Sequence, residues 1–171
     1  MIELGHKRIA LLSPLASGTI SIQDRIDGYS QAHIDAGLPV DQSLWLTNLP
    51  TDHPTFTESD DSSDLGIREL LLKEPKVTAI FAVEYKLAVR AKLIATSLGI
   101  AIPGELSIIC FDDPASYEEY NRFFTHIRQA ETEMGVQAVE LLVNRLTDGA
   151  AGQQITLPTE LILASSTAPL S

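Results

Sequence analysis

The segment Glu105-Leu-Ser-Ile-Ile-Cys-Phe-Asp-Asp113 constrains the fold more than any other part of this chain. Before it, Gly99 to Pro103 reads as a loop whose proline ends a helical pattern. Leu106 to Phe111 is then apolar almost without a break. A short apolar run with β-branched residues, flanked by loop signals, predicts a strand buried on both faces. Such strands belong to parallel sheets covered by helices, and those sheets take ligands beyond the carboxyl ends of their strands. Asp112 and Asp113 lie at that end and are the first candidates for ligand contact.

The remaining pattern repeats the alternation of strand and helix. Ile9 to Leu12 is a short apolar strand ending at Ser13-Pro14, and Gly5 before it reads as the cap of a helix whose earlier turns are missing, which suggests a truncated chain. A helix is predicted from Ser21 or Gln23 to Ala36, with Ile22, Ile26, Tyr29 and His33 or Ala32 on one stripe and Gly37 as its stop. A strand follows at Leu44 to Thr47, then a polar loop to Ser63 and a helix from Asp64 to Lys73. Val77 to Val83 is the third buried strand, followed at once by a helix from Glu84 to Leu98. After the central strand come a mixed polar and aromatic segment (Pro114 to Phe124), the stretch Thr125-His-Ile-Arg-Gln129, and a helix from Glu131 to Leu146. Two short strands around a proline, Gln154 to Pro158 and Glu160 to Ala164, close the pattern. The fold class is α/β, a mostly parallel sheet flanked by helices.

Charge and composition narrow the function. The net charge of −11 in 171 residues disfavours nucleic acid and acidic membrane as direct partners of this chain. No apolar run approaches the ~18 residues of a membrane span, and Met1 to Arg8 does not read as a signal peptide, so a soluble cytoplasmic protein is expected. The one cysteine, Cys110, falls mid-strand as a small core residue. The four histidines show no ligand spacing, and Asp60-Asp61 opens no calcium loop; neither a metal nor a cofactor is expected. No nucleophile elbow, phosphate loop or dinucleotide fingerprint is present. A phospho-receiver would carry its acidic pair after the first strand, where this chain has Ser13-Pro14. A non-enzyme is expected.

Several segments, in order and across nearly the whole chain, resemble the ligand-sensing domain of the lactose-repressor (LacI/GalR) family of transcriptional regulators. They are Leu4-Gly-His-Lys-Arg-Ile-Ala10, Arg25-Ile-Asp-Gly-Tyr29, Ala36-Gly-Leu38, Thr78-Ala-Ile-Phe-Ala82, Ile102-Pro-Gly-Glu through Asp113, Thr125 to Gln129, Glu133-Met-Gly-Val-Gln-Ala138 and Leu157-Pro-Thr-Glu-Leu-Ile162. The same sensor also occurs behind DNA-binding heads of the GntR type. The resemblance implies a periplasmic-binding-protein-like type I fold with two lobes clasping a sugar. This chain would hold the second, C-terminal lobe (about 5–127 and 155–167) and one returning helix of the first lobe (131–147). The DNA-binding head and most of the first lobe would be absent. A sugar-binding protein of the periplasmic type, outside transcription, is the alternative.

The resemblance also implies site residues. Arg25 matches an arginine whose fork of donors suits vicinal hydroxyls, Asp112 an aspartate that accepts from them, and Gln129 a polar side chain in the second crossover. Glu84-Tyr85 replaces the family's Asn-Asp pair, where the glutamate can still accept from hydroxyls but loses the amide donor and adds charge at its own position. Each residue has a plainer reading as well: Arg25 as a surface ion-pair partner, Asp112 as a turn cap, Glu84 as a charge at a helix start, Gln129 as a solvated hinge. Family members form homodimers through their second lobes. The matching positions here are Leu87, Val89, Ala91, Leu93 and Ile94, plus the aromatic stretch Tyr117 to Phe124 with Tyr120 and Phe123. Core packing is the plainer reading for about half of the helix residues.

The helix from Glu131 to Leu146 is apolar nearly all round and should be buried. Leaving four such side chains in water forfeits roughly 1.5 to 3 kcal/mol each, comparable in sum to the ~5 to 15 kcal/mol that holds a domain together. With most of the first lobe absent, the helix is expected to dock on its own lobe or to be exchanged or paired with a second copy.

Overall fold

A computed structural model describes residues 1–14, 19–51, 62–112, 123–149 and 151–170. Six strands form one sheet in the order β2-β1-β3-β4-β5-β6, with β1 Ile9–Leu12, β2 Trp45–Leu46, β3 Ala79–Ala82, β4 Ser107–Phe111, β5 Thr125–Arg128 and β6 Glu160–Ile162. All neighbours run parallel except β6, which pairs antiparallel to β5. The registers Ala10↔Ile80 and Ile80↔Ile108 put the central apolar runs side by side. The order changes direction between β1 and β3, and doubly wound sheets open a ligand crevice near such a point.

Two helices cover one face. α2 (Ser62–Leu72) and α3 (Tyr85–Ser97) bury Ile67, Leu70, Leu71, Ala88, Ala91 and Ile94 against Ala10, Leu12, Ile80, Ala82, Ile108 and Cys110. On the other face α1 (Ile20–Asp35) sets Ile22, Ile26 and Tyr29 against Ile9, Leu11, Ala79 and Val83. His33 completes the buried stripe, and Ala32 faces solvent. α1 ends in a paired C-cap: the amide of Gly37 (φ 66°) donates to Ile34 and that of Leu38 to His33. A side chain at Gly37 would force an L-residue into the left-handed region that glycine occupies at little cost.

The C-terminal tail ties the strand ends together. Ser166 Oγ donates to the Ile108 carbonyl at 2.5 Å and accepts from the Thr125 amide at 2.8 Å. His6, buried, donates from Nε2 to the Ala168 carbonyl (3.0 Å), while Nδ1 meets Thr78 Oγ1 (3.1 Å). Burial lowers the His6 pKa below its usual 6.5, so the ring is held neutral in this pair of contacts.

Three expectations need correction. Gln154 to Pro158 is not a strand; only Glu160–Ile162 pairs, because β5 offers an edge just long enough for it. The central strand is not covered on both faces: Ile109 and Phe111 of β4 stay partly exposed, since α1 reaches only across β1 and β3. Finally, α4 (Glu131–Asp148) does not dock on its own lobe. It leaves the sheet after β5 and rejoins it at β6, and none of its described side chains is buried. Val139 is 61% and Leu146 76% exposed.

Candidate ligand-binding site

Three of the four candidate residues come together beyond the strand ends. Arg25 lies in the second turn of α1 and points across the sheet. Its Nη1 donates to the carbonyl of Val83, just after β3, at 2.7 Å. Its guanidinium carbon lies 3.8 Å from the centre of the Phe111 ring at the end of β4, a cation–π contact. Its Nη2 reaches Asp112 Oδ1 at 3.5 Å. Gln129, just past β5, donates from Nε2 to the same oxygen at 3.0 Å. A carboxylate, an amide and a guanidinium therefore converge from α1, β4 and β5.

Asp112 is held there by its backbone. Its φ is 80°, and its amide donates to the Ile127 carbonyl at 3.1 Å, which carries the contact between β4 and β5 to the strand end. Aspartate tolerates the left-handed region better than most residues, and strained positions of this kind gather at ligand sites. Both contacts use Oδ1; among the described residues Oδ2 accepts no hydrogen bond. A carboxylate so arranged can accept from a hydroxyl, beside an arginine and an amide that can donate to it.

Glu84 is placed differently. It is the N-cap of α3 and follows Val83, whose carbonyl holds Arg25, but its carboxylate makes no capping hydrogen bond. The side chains that reading by sequence missed are Phe111 and the wall of the adjacent groove. Alternation along β4 carried that signal, because Ser107, Ile109 and Phe111 share one face. The groove encloses about 630 Å³ and runs from Met1 and Ile2, past Tyr29, Ile109 and Ile127, to Arg25 and Gln129. Among the described residues no group of three or more His, Cys, Asp or Glu side chains could hold a metal ion.

The candidate dimer positions divide. Leu87 is 1% exposed, and Ala91, Ile94 and Phe124 are equally core, because α3 turns that face to the sheet. Leu93 is 46% exposed, and Val89 and Phe123 are half-buried. Lys92 Nζ lies 4.0 Å over the Phe123 ring, joining α3 and the lead-in to β5 into one surface. Tyr117 and Tyr120 lie outside the described residues.

A model of the periplasmic binding protein-like domain matches residues 1–167. The chain belongs to that domain family. The transcriptional regulator DegA of Bacillus subtilis is 34% identical over all of this chain and 48% of its own length. The solved complex of the transcriptional regulator CelR with cellobiose is 27% identical, with a TM-score of 0.77 over 96% of this chain and 48% of that one. A LacI-family regulator from Enterococcus faecium solved with ribose gives 26% and 0.74 over 99% of this chain and 60% of that one. The chain thus spans about half the length of the curated relatives it matches. Those relatives are transcriptional regulators, not enzymes. Among the described residues no helix is long and apolar enough to cross a membrane.

Proposed function

We propose that this chain is the effector-binding and dimerisation part of a LacI-type transcriptional regulator, non-catalytic and cytoplasmic, with a sugar or sugar derivative as effector. The observation that carries the reading is the convergence of Arg25 and Gln129 on Asp112 Oδ1 at the carboxyl end of the central strand. That donor and acceptor set suits vicinal hydroxyls, with the Phe111 ring beneath the guanidinium to hold it flat. CelR with cellobiose and the Enterococcus regulator with ribose support the ligand class. In this reading residues 5–127 and 155–167 are the second lobe, and 131–147 is a helix that returns toward the first lobe. Glu84, the N-cap of α3 beside Val83, adds negative charge that disfavours anionic effectors.

Operator DNA is contacted only through a separate N-terminal head. The homodimer forms through Val89, Leu93 and Phe123. Effector binding to these residues alone is weak. Calorimetric titration with pentoses, hexoses and β-linked disaccharides tests this, comparing the chain with Arg25→Met. Weak heat for one sugar class, abolished by the substitution, is expected; heat unchanged by Arg25→Met contradicts the site.

A further inference from the structure

Both elements of the proposed dimer surface are rooted at the residues of the candidate effector site. The first element is α3. Arg25 Nη1 donates to the Val83 carbonyl at 2.7 Å, and the Val83 amide donates to the Leu12 carbonyl at 2.9 Å. Val83 is buried, so the root of α3 is fixed on both sides. Glu84 follows as the N-cap, and its carbonyl accepts from the Leu87 amide at 3.2 Å as the helix begins. Val89 and Leu93 lie about one and two turns past Tyr85, the first residue of α3.

The second element is the lead-in to β5. At the far end of that strand Gln129 donates to Asp112 Oδ1, and the Asp112 amide donates to the Ile127 carbonyl. Phe123 and Phe124 lie just before its start at Thr125. The buried Phe124 ring meets Tyr85 edge to face at 5.7 Å and Phe123 at 5.1 Å between centroids. With Lys92 over the Phe123 ring, α3 and the lead-in to β5 pack as one unit.

One link in these contacts is slack. Arg25 Nη2 stands 3.5 Å from Asp112 Oδ1, against the roughly 2.7 to 2.9 Å of a close charged pair. Asp112 Oδ2 accepts no hydrogen bond among the described residues. A vicinal diol that accepts from the guanidinium and donates to the carboxylate fills the gap with bonds of ordinary length. Because a guanidinium carries several donors, Nη1 keeps the Val83 carbonyl while the others meet the sugar.

We propose that effector binding and self-association are coupled: a sugar bridging Arg25 to Asp112 ties the root of α3 to β5 and tightens the dimer. Resting on the effector site and the α3 surface proposed above, the coupling takes its sign from ordering. Association requires Val89, Leu93 and Phe123 to be held in one arrangement, and a bond that fixes both roots beforehand lowers that cost.

The test is sedimentation of the 171-residue chain with and without cellobiose or ribose near saturation, paired with calorimetric sugar titrations at protein concentrations below and above the dimer midpoint. Each bound sugar should tighten the dimer roughly 5-fold or more, and by linkage each site should bind sugar that much more tightly in the dimer than in the monomer. Leu93→Glu, at an exposed position, should stay monomeric and keep the weaker affinity at every concentration. A dimer midpoint that saturating sugar leaves unmoved, a dimer loosened by sugar, or Leu93→Glu binding sugar as tightly as the dimer overturns the coupling and leaves sugar recognition standing. A chain monomeric throughout, or a Leu93→Glu chain that still dimerises, overturns the coupling together with the α3 surface. No heat with either sugar overturns it together with the effector site.

Discussion

The backbone at Asp112 makes the sharpest stability prediction, because its side chain and its φ of 80° can be varied apart. Asp112→Ala removes the acceptor for Gln129 and the partner of Arg25, a loss of about 1.5 to 3 kcal/mol for hydrogen bonds to a charged group, discounted toward the low end because both side chains keep some contact with solvent. Arg25 keeps the Val83 carbonyl and the Phe111 ring, so no charge is orphaned. Alanine also pays about 1 kcal/mol for the left-handed conformation. The sum is about 2 to 3 kcal/mol. Asp112→Gly loses the same side chain without the strain and should cost about 1 kcal/mol less than alanine. Asp112→Asn keeps an acceptor and a residue that tolerates the conformation, and should cost least, about 1 kcal/mol. Urea unfolding resolves these: with a slope of ~2 kcal/mol per molar, the alanine midpoint falls by about 1 M. Equal midpoints for alanine and glycine would refute the backbone argument, and equal midpoints for alanine and asparagine would refute the side-chain one.

Further outcomes follow from burial and charge. Leu87→Ala should destabilise the fold by about 2 to 5 kcal/mol in the same urea assay, whereas Leu93→Ala should stay within about 0.5 kcal/mol and act only on self-association. His6 is held below its usual pKa of 6.5 by burial, so the unfolded chain takes up this proton first as pH falls. Stability from this contact is complete above pH 6.5 and declines below it toward the depressed value, and His6→Gln should flatten that slope in urea midpoints measured against pH. Tyr29, whose hydroxyl donates to the Ile9 carbonyl at 2.7 Å, is pushed up to about 12 by burial. Its contribution is therefore complete below pH 10 and lost as pH rises toward 12, an alkaline transition that Tyr29→Phe should remove.

The order of strands and helices was legible because each apolar run is short and each helix ends on a physical stop, as Gly37 shows for α1. Asp112 was legible from its place at the end of a buried apolar run, and Arg25 and Gln129 only through a resemblance; their distances to one another arise from three elements far apart in sequence, which no local pattern encodes. Leu87 and Leu93 read alike in sequence because an amphipathic stripe shows that a helix has two faces, not where the edge of the buried one falls. The fate of α4 was not legible either. Its composition requires a cover, but what supplies the cover depends on surfaces beyond the helix itself.

The most direct test of the central claim is a titration of the isotopically labelled chain with cellobiose and ribose to near saturation, following backbone and side-chain resonances. Shifts that begin at the Gln129 side-chain amide, the Arg25 guanidinium and the Asp112 amide, and fade away from them, are the predicted result. No shifts with any sugar, or shifts centred on the α2–α3 face while those three groups stay still, would contradict it.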